Sequence, residues 1–254
     1  MCCFSRPVKD VSATKILARW TSAEGGVLRQ CVVYQMNYLA AEDLAMVLPL
    51  PIAPGSEERA VTFIDLEFHA DIFDKLHLCF PEPVSPFRSL PNSVPPPVAA
   101  EPKLEVVQVG SFEASFVPTV KDFGRLDERF RLPAGTWEAL PQYAAWGFAV
   151  FKLKPAAKTV HPMAFTFPHA KETRGLFFPA VHIHDGKVHK KAKFDHTLYT
   201  QQSPLRISSV MEWEESPGLA SGVFKNDCKS LVDLKAHIHR RKMNGSLAND
   251  DVWI

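Results

Sequence analysis

Residues 27–38 read VLRQCVVYQMNY, and this stretch decides the fold class. Its side chains alternate with a period of two, the spacing of a β-strand. One face of the predicted strand carries Val32, Tyr34, Met36 and Tyr38, and the other carries Arg29, Cys31, Val33 and Gln35. Residues 13–20 form a second extended run before a loop containing Gly25-Gly26. The two runs therefore predict an antiparallel pair.

Proline spacing extends this β-rich prediction along the chain. The sequence holds 21 prolines, and one proline inside a helix costs about 3 kcal/mol, so long helices are disfavoured. Short extended runs predict strands over residues 45–51, 106–117, 143–153, 163–167, 176–184, 187–190, 197–201 and 206–213. Short helices are predicted over residues 72–78, 122–131 and 136–140.

One longer helix is predicted near the C-terminus. Asp227 is a suitable N-cap, and Leu231, Leu234 and Ile238 have the spacing of an apolar helix stripe. Gly245 would end the helix. The sequence thus predicts an α+β fold that is mainly antiparallel β, as a sandwich-like or mixed sheet, with short helices and a C-terminal helix.

Residues 81–102 hold eight prolines and interrupt an otherwise uniform pattern. Such a stretch favours an extended, polyproline-like conformation with little capacity to pack a core. We expect residues 1–254 to form a single domain, with 81–102 as an internal excursion or linker.

The charge balance and hydropathy of the chain limit the classes of partner that we expect. The chain has 29 basic and 28 acidic residues, a balance that gives no reason to expect nucleic acid or an acidic membrane as a partner. The sequence has no apolar run of the roughly 20 residues needed to cross a bilayer, and no apolar signal core near its start. Five scattered cysteines do not indicate a disulfide framework. A cytoplasmic location is the expectation.

The order of these segments resembles a bacterial family known only as a domain of unknown function. The similarity spans residues 1–180 and rests on the cysteine-bearing start, Pro7-Val8, the strand pair, Leu48-Pro49-Leu50-Pro51, Val109-Gly110 and the run Tyr143–Leu153. Members of that family typically have a Cys-Gly-Gly-Phe-type segment after a signal peptide, which this sequence does not show. The resemblance implies a β-rich fold and no activity.

Residues 181–189, VHIHDGKVH, carry the sharpest chemical signal. Asp185-Gly186 is typical of a two-residue hairpin turn, which would place His182, His184 and His189 on one face. Three neutral imidazoles can bind Zn²⁺ or another divalent transition metal, and His196 is a fourth ligand or an outer partner. The alternative is a solvated hairpin face, since Lys187 and Lys190 would repel a cation.

Cys2 is a candidate nucleophile. Removal of Met1 would leave its α-amino group free to act as a general base for the thiol, as in N-terminal cysteine amidohydrolases. The alternative is that Cys2 and Cys3 are small buried residues of the first strand.

Two further observations leave the question of enzymatic activity open. The sequence contains no Walker loop, dinucleotide-binding glycine motif, serine-hydrolase elbow or Cys-x-x-Cys pair. On the predicted C-terminal helix, His237 and His239 would point apart and could not share a metal. A third reading of the chain is a non-catalytic binding or assembly module that contacts a protein partner through its β-surface or its proline-rich segment.

Overall fold

A computed structural model describes residues 2–22, 28–81, 107–109, 112–170, 175–202 and 212–254. The described residues form short and medium strands in three sheets. The first eight are β1 (Cys2–Phe4), β2 (Asp10–Ser22), β3 (Leu28–Ala40), β4 (Leu44–Leu50), β5 (Thr62–Ile64), β6 (Val107–Val109), β7 (Phe112–Val117) and β8 (Gly147–Leu153). The next eight are β9 (Ala156–Thr159), β10 (Met163–Pro168), β11 (Phe177–Phe178), β12 (His182–Ile183), β13 (Lys191–Thr200), β14 (Glu214–Leu219), β15 (His237–Ala248) and β16 (Val252–Trp253).

Two of the sheets are large. The first sheet has the order β12-β1-β4-β8-β7-β6. The second has the order β14-β15-β13-β2-β3-β10-β5, with β9 also paired to β3. Most neighbours are antiparallel, but β1 pairs with β12 and β2 pairs with β13 in parallel. The predicted antiparallel pair near the N-terminus is confirmed as β2 and β3, and both sheets are mixed.

The main core lies between these two sheets. Phe151 of the first sheet contacts Phe63 and Phe165 of the second, with ring centroids 5.6 and 5.8 Å apart. Because side chains alternate between the two faces of a strand, these three phenylalanines lie on the faces that point toward the opposite sheet. The β-rich fold predicted from the sequence is therefore present, with aromatic side chains from both sheets filling the space between them.

Each large sheet is also covered on its outer face. Short 3₁₀ helices over Val120–Arg125, Glu128–Phe130 and Pro141–Tyr143 cover the first sheet, where Phe123 packs on Phe148 with ring centroids 5.1 Å apart. The predicted helix over 72–78 is confirmed as α1 (Ile72–Leu78). It joins a second apolar cluster on the outer face of the second sheet, with Leu17 and Tyr199.

The predicted C-terminal helix is wrong, because β15 occupies His237–Ala248 and pairs with both β13 and β14. The residues before it form a turn in which Cys228, Lys229 and Ser230 have positive φ angles of 49°, 61° and 64°. Three successive residues in the left-handed region cannot continue a right-handed helix. Leu231 and Ile238 reach the second apolar cluster from this turn and strand.

The predicted hairpin over residues 181–190 is also wrong. Asp185-Gly186 does turn the chain, and Gly186 has a φ of 77°. The flanking segments then pair with different partners: β12 with the N-terminal β1, and β13 with β15 and β2. Tertiary contacts override the local turn signal, because each of the two segments pairs with other strands of a large sheet.

Several sequence predictions fall outside the described residues. These include the loop with Gly25-Gly26, nearly all of the proline-rich segment 81–102, and most of the predicted strand 206–213. Within the described part of the chain, no helix is both long and apolar enough to cross a membrane.

Candidate functional site: a histidine cluster between the sheets

Three of the four histidines predicted as metal ligands lie together between the two large sheets. His182 is on β12 of the first sheet, His184 follows it, and His196 is on β13 of the second sheet. The ring of His182 lies 4.7 Å from that of His184 and 4.6 Å from that of His196, centroid to centroid. Phe194 and Phe4 pack against the same group. The cluster, defined here as His182, His184 and His196, therefore joins the sheets at one end of the core.

Two imidazoles of the cluster face each other through their outer nitrogens. Nε2 of His182 lies 3.1 Å from Nε2 of His196. Between neutral imidazoles this is a hydrogen bond in which one ring donates and the other accepts, the roles depending on the tautomers. Two nitrogens bound to one tetrahedral Zn²⁺ at about 2.0–2.1 Å lie roughly 3.3 Å apart, so the separation also suits two ligands of one ion.

Burial keeps these imidazoles neutral. Burial lowers the pKa of His182 to about 3 and that of His184 to about 4, and it holds the pKa of His196 well below its usual range. The neighbouring imidazoles act in the same direction for His182 and His196, because two cations so close together repel each other. The three side chains are therefore free bases at neutral pH, the form that binds a metal ion.

Two ring nitrogens of the cluster lack hydrogen-bond partners. Nε2 of His184 and Nδ1 of His196 are both buried, and neither contacts a donor or acceptor in the described part of the chain. A buried polar atom without a partner costs about 1–3 kcal/mol. The cluster thus holds unused binding capacity at two atoms.

Residues near the C-terminus fix the backbone that carries His182. The side chain of Asn249 accepts a hydrogen bond from the His182 N–H at 2.7 Å and donates to the carbonyl oxygens of His182 and His189, both at 2.9 Å. Half-buried Asp251 accepts hydrogen bonds from the backbone N–H groups of Ala180 and Val181.

Asn249 and Asp251 were not predicted from the sequence. Their partners lie about 60 to 70 residues away, and no spacing pattern connects them. Asp251 also contacts the layer of 3₁₀ helices that covers the first sheet, where the Tyr143 hydroxyl donates a hydrogen bond to the Asp251 carboxylate at 2.5 Å. Burial raises the pKa of Asp251.

A cleft of about 380 Å³ reaches the cluster from the surface. Its lining includes His182, His184 and His189, together with Lys9, Lys191 and Lys193 and the carboxylates of Asp10 and Asp185. Water and small solutes can therefore reach His182 and His184 from one side. These lysines and carboxylates make the cleft a mixed environment for a cation, and neither Lys187 nor Lys190, the lysines named in the sequence analysis, is among its lining residues.

His189 lines the same cleft as His182 and His184, but its ring contacts Asp185. Its side chain is 56% exposed, and its Nε2 lies 2.8 Å from Oδ2 of Asp185. The Asp185-Gly186 turn thus uses His189 locally, and no hairpin places it opposite His182. Among the described residues, no group of three His, Cys, Asp or Glu side chains already has the arrangement of a metal site, so metal binding by the cluster requires adjustment of at least one ring.

The remaining candidates have different surroundings. The backbone of Cys2 pairs in register with that of His182, so the chain start lies next to the cluster. His237 and His239 lie on β15, where a spacing of two places them on one face, not on a helix where they would point apart. Their Nδ1 atoms lie 3.9 and 3.7 Å from the carboxylate of Glu215.

Comparisons with known proteins give a distant likeness. The chain is similar to baculovirus P35, at 12% identity over 96% of each chain and a TM-score of 0.48. It is also similar to a mutated baculovirus P35 after caspase cleavage, at 14% identity over 95% of this chain and 98% of that one, with a TM-score of 0.49. No protein-family model and no curated protein matches the sequence. These similarities assign neither a family nor an activity to the chain.

Proposed function

We propose that this protein binds a divalent transition metal ion, with Zn²⁺ as the first candidate, through His182, His184 and His196. The observation that carries the proposal is the 3.1 Å approach of the Nε2 atoms of His182 and His196, beside the half-buried imidazole of His184, whose buried Nε2 has no partner in the described chain. Imidazole nitrogen is a preferred ligand of zinc, copper and iron.

Three ligands from the chain would leave one coordination position open. Three histidines and a water molecule form a known zinc arrangement, and the cleft beside His182 and His184 supplies a path for water or a small ligand. Whether the ion is structural or supports a reaction depends on that fourth position. The proposal covers binding and leaves the reaction unassigned.

The surroundings of the cluster set the expected affinity. Histidines that bind metals usually donate their other ring N–H to an acceptor, and loss of such a partner costs 10–100-fold in affinity. Nδ1 of His196 has no acceptor among the described residues. We therefore expect weaker binding than at a closed structural zinc site.

The test is a calorimetric titration of the purified, chelator-treated protein with Zn²⁺ at neutral pH, supported by elemental analysis. We expect one ion per chain, with binding lost in a His182→Gln/His196→Gln double variant. His189→Gln is the matched control, because it makes the same substitution at an exposed histidine of the same segment. Circular dichroism checks that each variant is folded.

Two results would overturn the proposal. One is folded native protein that takes up no Zn²⁺, Cu²⁺ or Co²⁺. The other is an equal loss of binding in the His189→Gln control, which would assign the uptake to surface histidines.

A second candidate, an N-terminal cysteine amidohydrolase, is favoured by one observation: the register that places Cys2 opposite His182. Its mechanism requires removal of Met1, which intact mass measures directly. Retained Met1 rules it out, because the α-amino group of Cys2 would then be part of a peptide bond. A Cys2→Ser variant separates the two candidates when both activities are measured: the hydrolase candidate predicts loss of amide hydrolysis, and the metal proposal predicts unchanged Zn²⁺ binding by the three histidines.

A further inference from the structure

A second polar cluster lies on the outer face of the second sheet, where β2, β13 and β15 run side by side. The register places Lys15, Thr197 and Lys242 in one row across these three strands. Tyr199 and Arg240 form the neighbouring pair two residues along. Because directly paired residues share a face with their Cβ atoms about 5 Å apart, these five side chains converge on one patch.

Arg240 is the unusual member of this patch. It is only 4% exposed, and its Nε and Nη2 both donate to Oε2 of Glu214, at 3.1 and 2.7 Å. The guanidinium carbon lies 4.3 Å from the centroid of the Phe80 ring. Nη1 is buried and has no hydrogen-bond partner in the described part of the chain. A guanidinium keeps its charge at any physiological pH, so this donor requires an acceptor.

A cavity of about 280 Å³ lies over the patch. The five residues of the two rows line it, and Asp74 and His77 of α1 complete the lining. Lys15, Arg240 and Lys242 bring three positive charges to the patch, against Asp74 of the lining and Glu214, which pairs with Arg240. The lining is therefore cationic and suits an anion in a chain whose overall charges nearly balance.

We propose that this cavity binds the phosphate group of a small molecule. A phosphate accepts hydrogen bonds from several directions and carries up to two negative charges, which matches convergent Lys and Arg donors with Thr and Tyr hydroxyls. A carboxylate carries one charge and is planar, so it would use fewer of these groups. The cavity is slightly below the usual range for small-ligand sites, which restricts the ligand to a phosphate with few further atoms.

The hydroxyl of Tyr199 keeps its proton in this arrangement. Burial raises the pKa of Tyr199 to about 12, so the phenol stays protonated at neutral pH. The site lies on the outer face of the second sheet, whereas His196 faces the gap between the sheets. The proposal is therefore independent of metal binding by the histidine cluster.

The test is a ³¹P NMR and calorimetric titration of the full chain with inorganic phosphate and with glycerol 3-phosphate, at constant ionic strength. We expect saturable binding that malonate, a dicarboxylate, does not match. Tighter binding of glycerol 3-phosphate would identify an organic phosphate as the ligand, and equal or weaker binding would identify phosphate itself. We expect Lys15→Met/Lys242→Met to lower the affinity at least tenfold, and Thr197→Val to lower it less.

Lys121→Met is the matched control, because Lys121 is an exposed lysine in the 3₁₀ layer over the other sheet. Neither lysine of the double variant is buried, so the variant should fold, which circular dichroism verifies. The proposal is overturned if folded native protein binds neither phosphate more tightly than malonate. It is equally overturned if the double variant binds as the native chain does, or if Lys121→Met loses as much affinity.

Discussion

The histidine cluster and the Arg240 patch both bury polar groups, but they deal with charge in opposite ways. The imidazoles of His182, His184 and His196 lose their protons, since burial lowers all three pKa values. Arg240 cannot lose its proton, so Glu214 pairs with it, and one of its nitrogens has no partner among the described residues. A buried neutral base is open to a cation, and a buried permanent cation is open to an anion. This difference predicts opposite ligands for the two regions.

The largest expected effect is a loss of folding stability on acidification, which arises at the histidine cluster and not at the Arg240 patch. An unfolded histidine has a pKa near 6.5, whereas folded His182 and His184 have values of about 3 and 4, so the unfolded chain binds more protons between these limits. Stability is therefore fully present above pH 6.5, and it falls as the pH drops toward 4. At about 1.4 kcal/mol per pKa unit, the total loss is on the order of several kcal/mol.

Urea unfolding between pH 7.5 and 4 in the presence of chelator measures this loss. A His182→Gln/His196→Gln variant should lose clearly less stability over the same range, because two of the titrating groups are gone. A His189→Gln control should follow the native curve. Identical slopes for all three proteins would contradict the assignment of the acid sensitivity to the cluster.

Removing the side chain that fixes His182 should have the next largest effect. Asn249→Ala removes three hydrogen bonds and leaves the N–H and carbonyl groups of His182 without these partners, at a cost of about 2–3 kcal/mol. We also expect Zn²⁺ affinity to fall at least tenfold, because His182 loses its support. Chemical denaturation and calorimetry measure the two effects. Asn244→Ala, at an exposed position of β15, is the control and should change neither quantity appreciably.

Breaking the Arg240 pair should cost somewhat less. Glu214→Ala leaves the buried guanidinium without its carboxylate, but Glu214 is 58% exposed, so water partly replaces it. We expect a loss of about 1–2 kcal/mol in unfolding free energy. Arg240→Met should be less harmful than Glu214→Ala, because it removes the charge together with its need for a partner. The reverse order in urea unfolding would argue that packing of Arg240 on Phe80 dominates.

The exposed histidine of the same segment should matter least. His189→Ala removes only an exposed contact with Asp185, and exposed ion pairs contribute about 0–1 kcal/mol. We expect a change below about 0.5 kcal/mol in thermal unfolding and no change in Zn²⁺ uptake. A larger effect on either quantity would mean that the turn 185–189 supports the cluster.

Local patterns predicted the elements whose partners are near in sequence. The alternation of residues 27–38 and the preceding run gave the correct β2–β3 pair, and the apolar spacing of Ile72, Phe73 and Leu76 gave α1. The hairpin failed because β12 pairs with β1, which lies about 180 residues away in the sequence. Turn chemistry at Asp185-Gly186 contains no information on such a partner.

The lack of information on distant partners also explains why the C-terminal helix was predicted wrongly and why some residues of the site were not predicted. Leu231, Leu234 and Ile238 have helical spacing, but a left-handed turn at Cys228–Ser230 followed by a strand buries Leu231 and Ile238 equally well. His182 and His184 were predicted from one motif. His196 reaches the cluster from the other sheet, and Asn249 forms hydrogen bonds with the backbone of His182. Both contacts depend on sheet packing that single-sequence patterns do not specify.

Metal binding by the histidine cluster is tested by a long-range ¹H–¹⁵N NMR spectrum of the histidine side chains, recorded on the native chain with and without one equivalent of Zn²⁺. We expect the ring nitrogens of His182, His184 and His196 to shift together in the saturated state, while those of His189 stay in place. Shifts confined to His189 and other exposed histidines, with the three rings of the cluster unchanged, would contradict metal binding by the cluster.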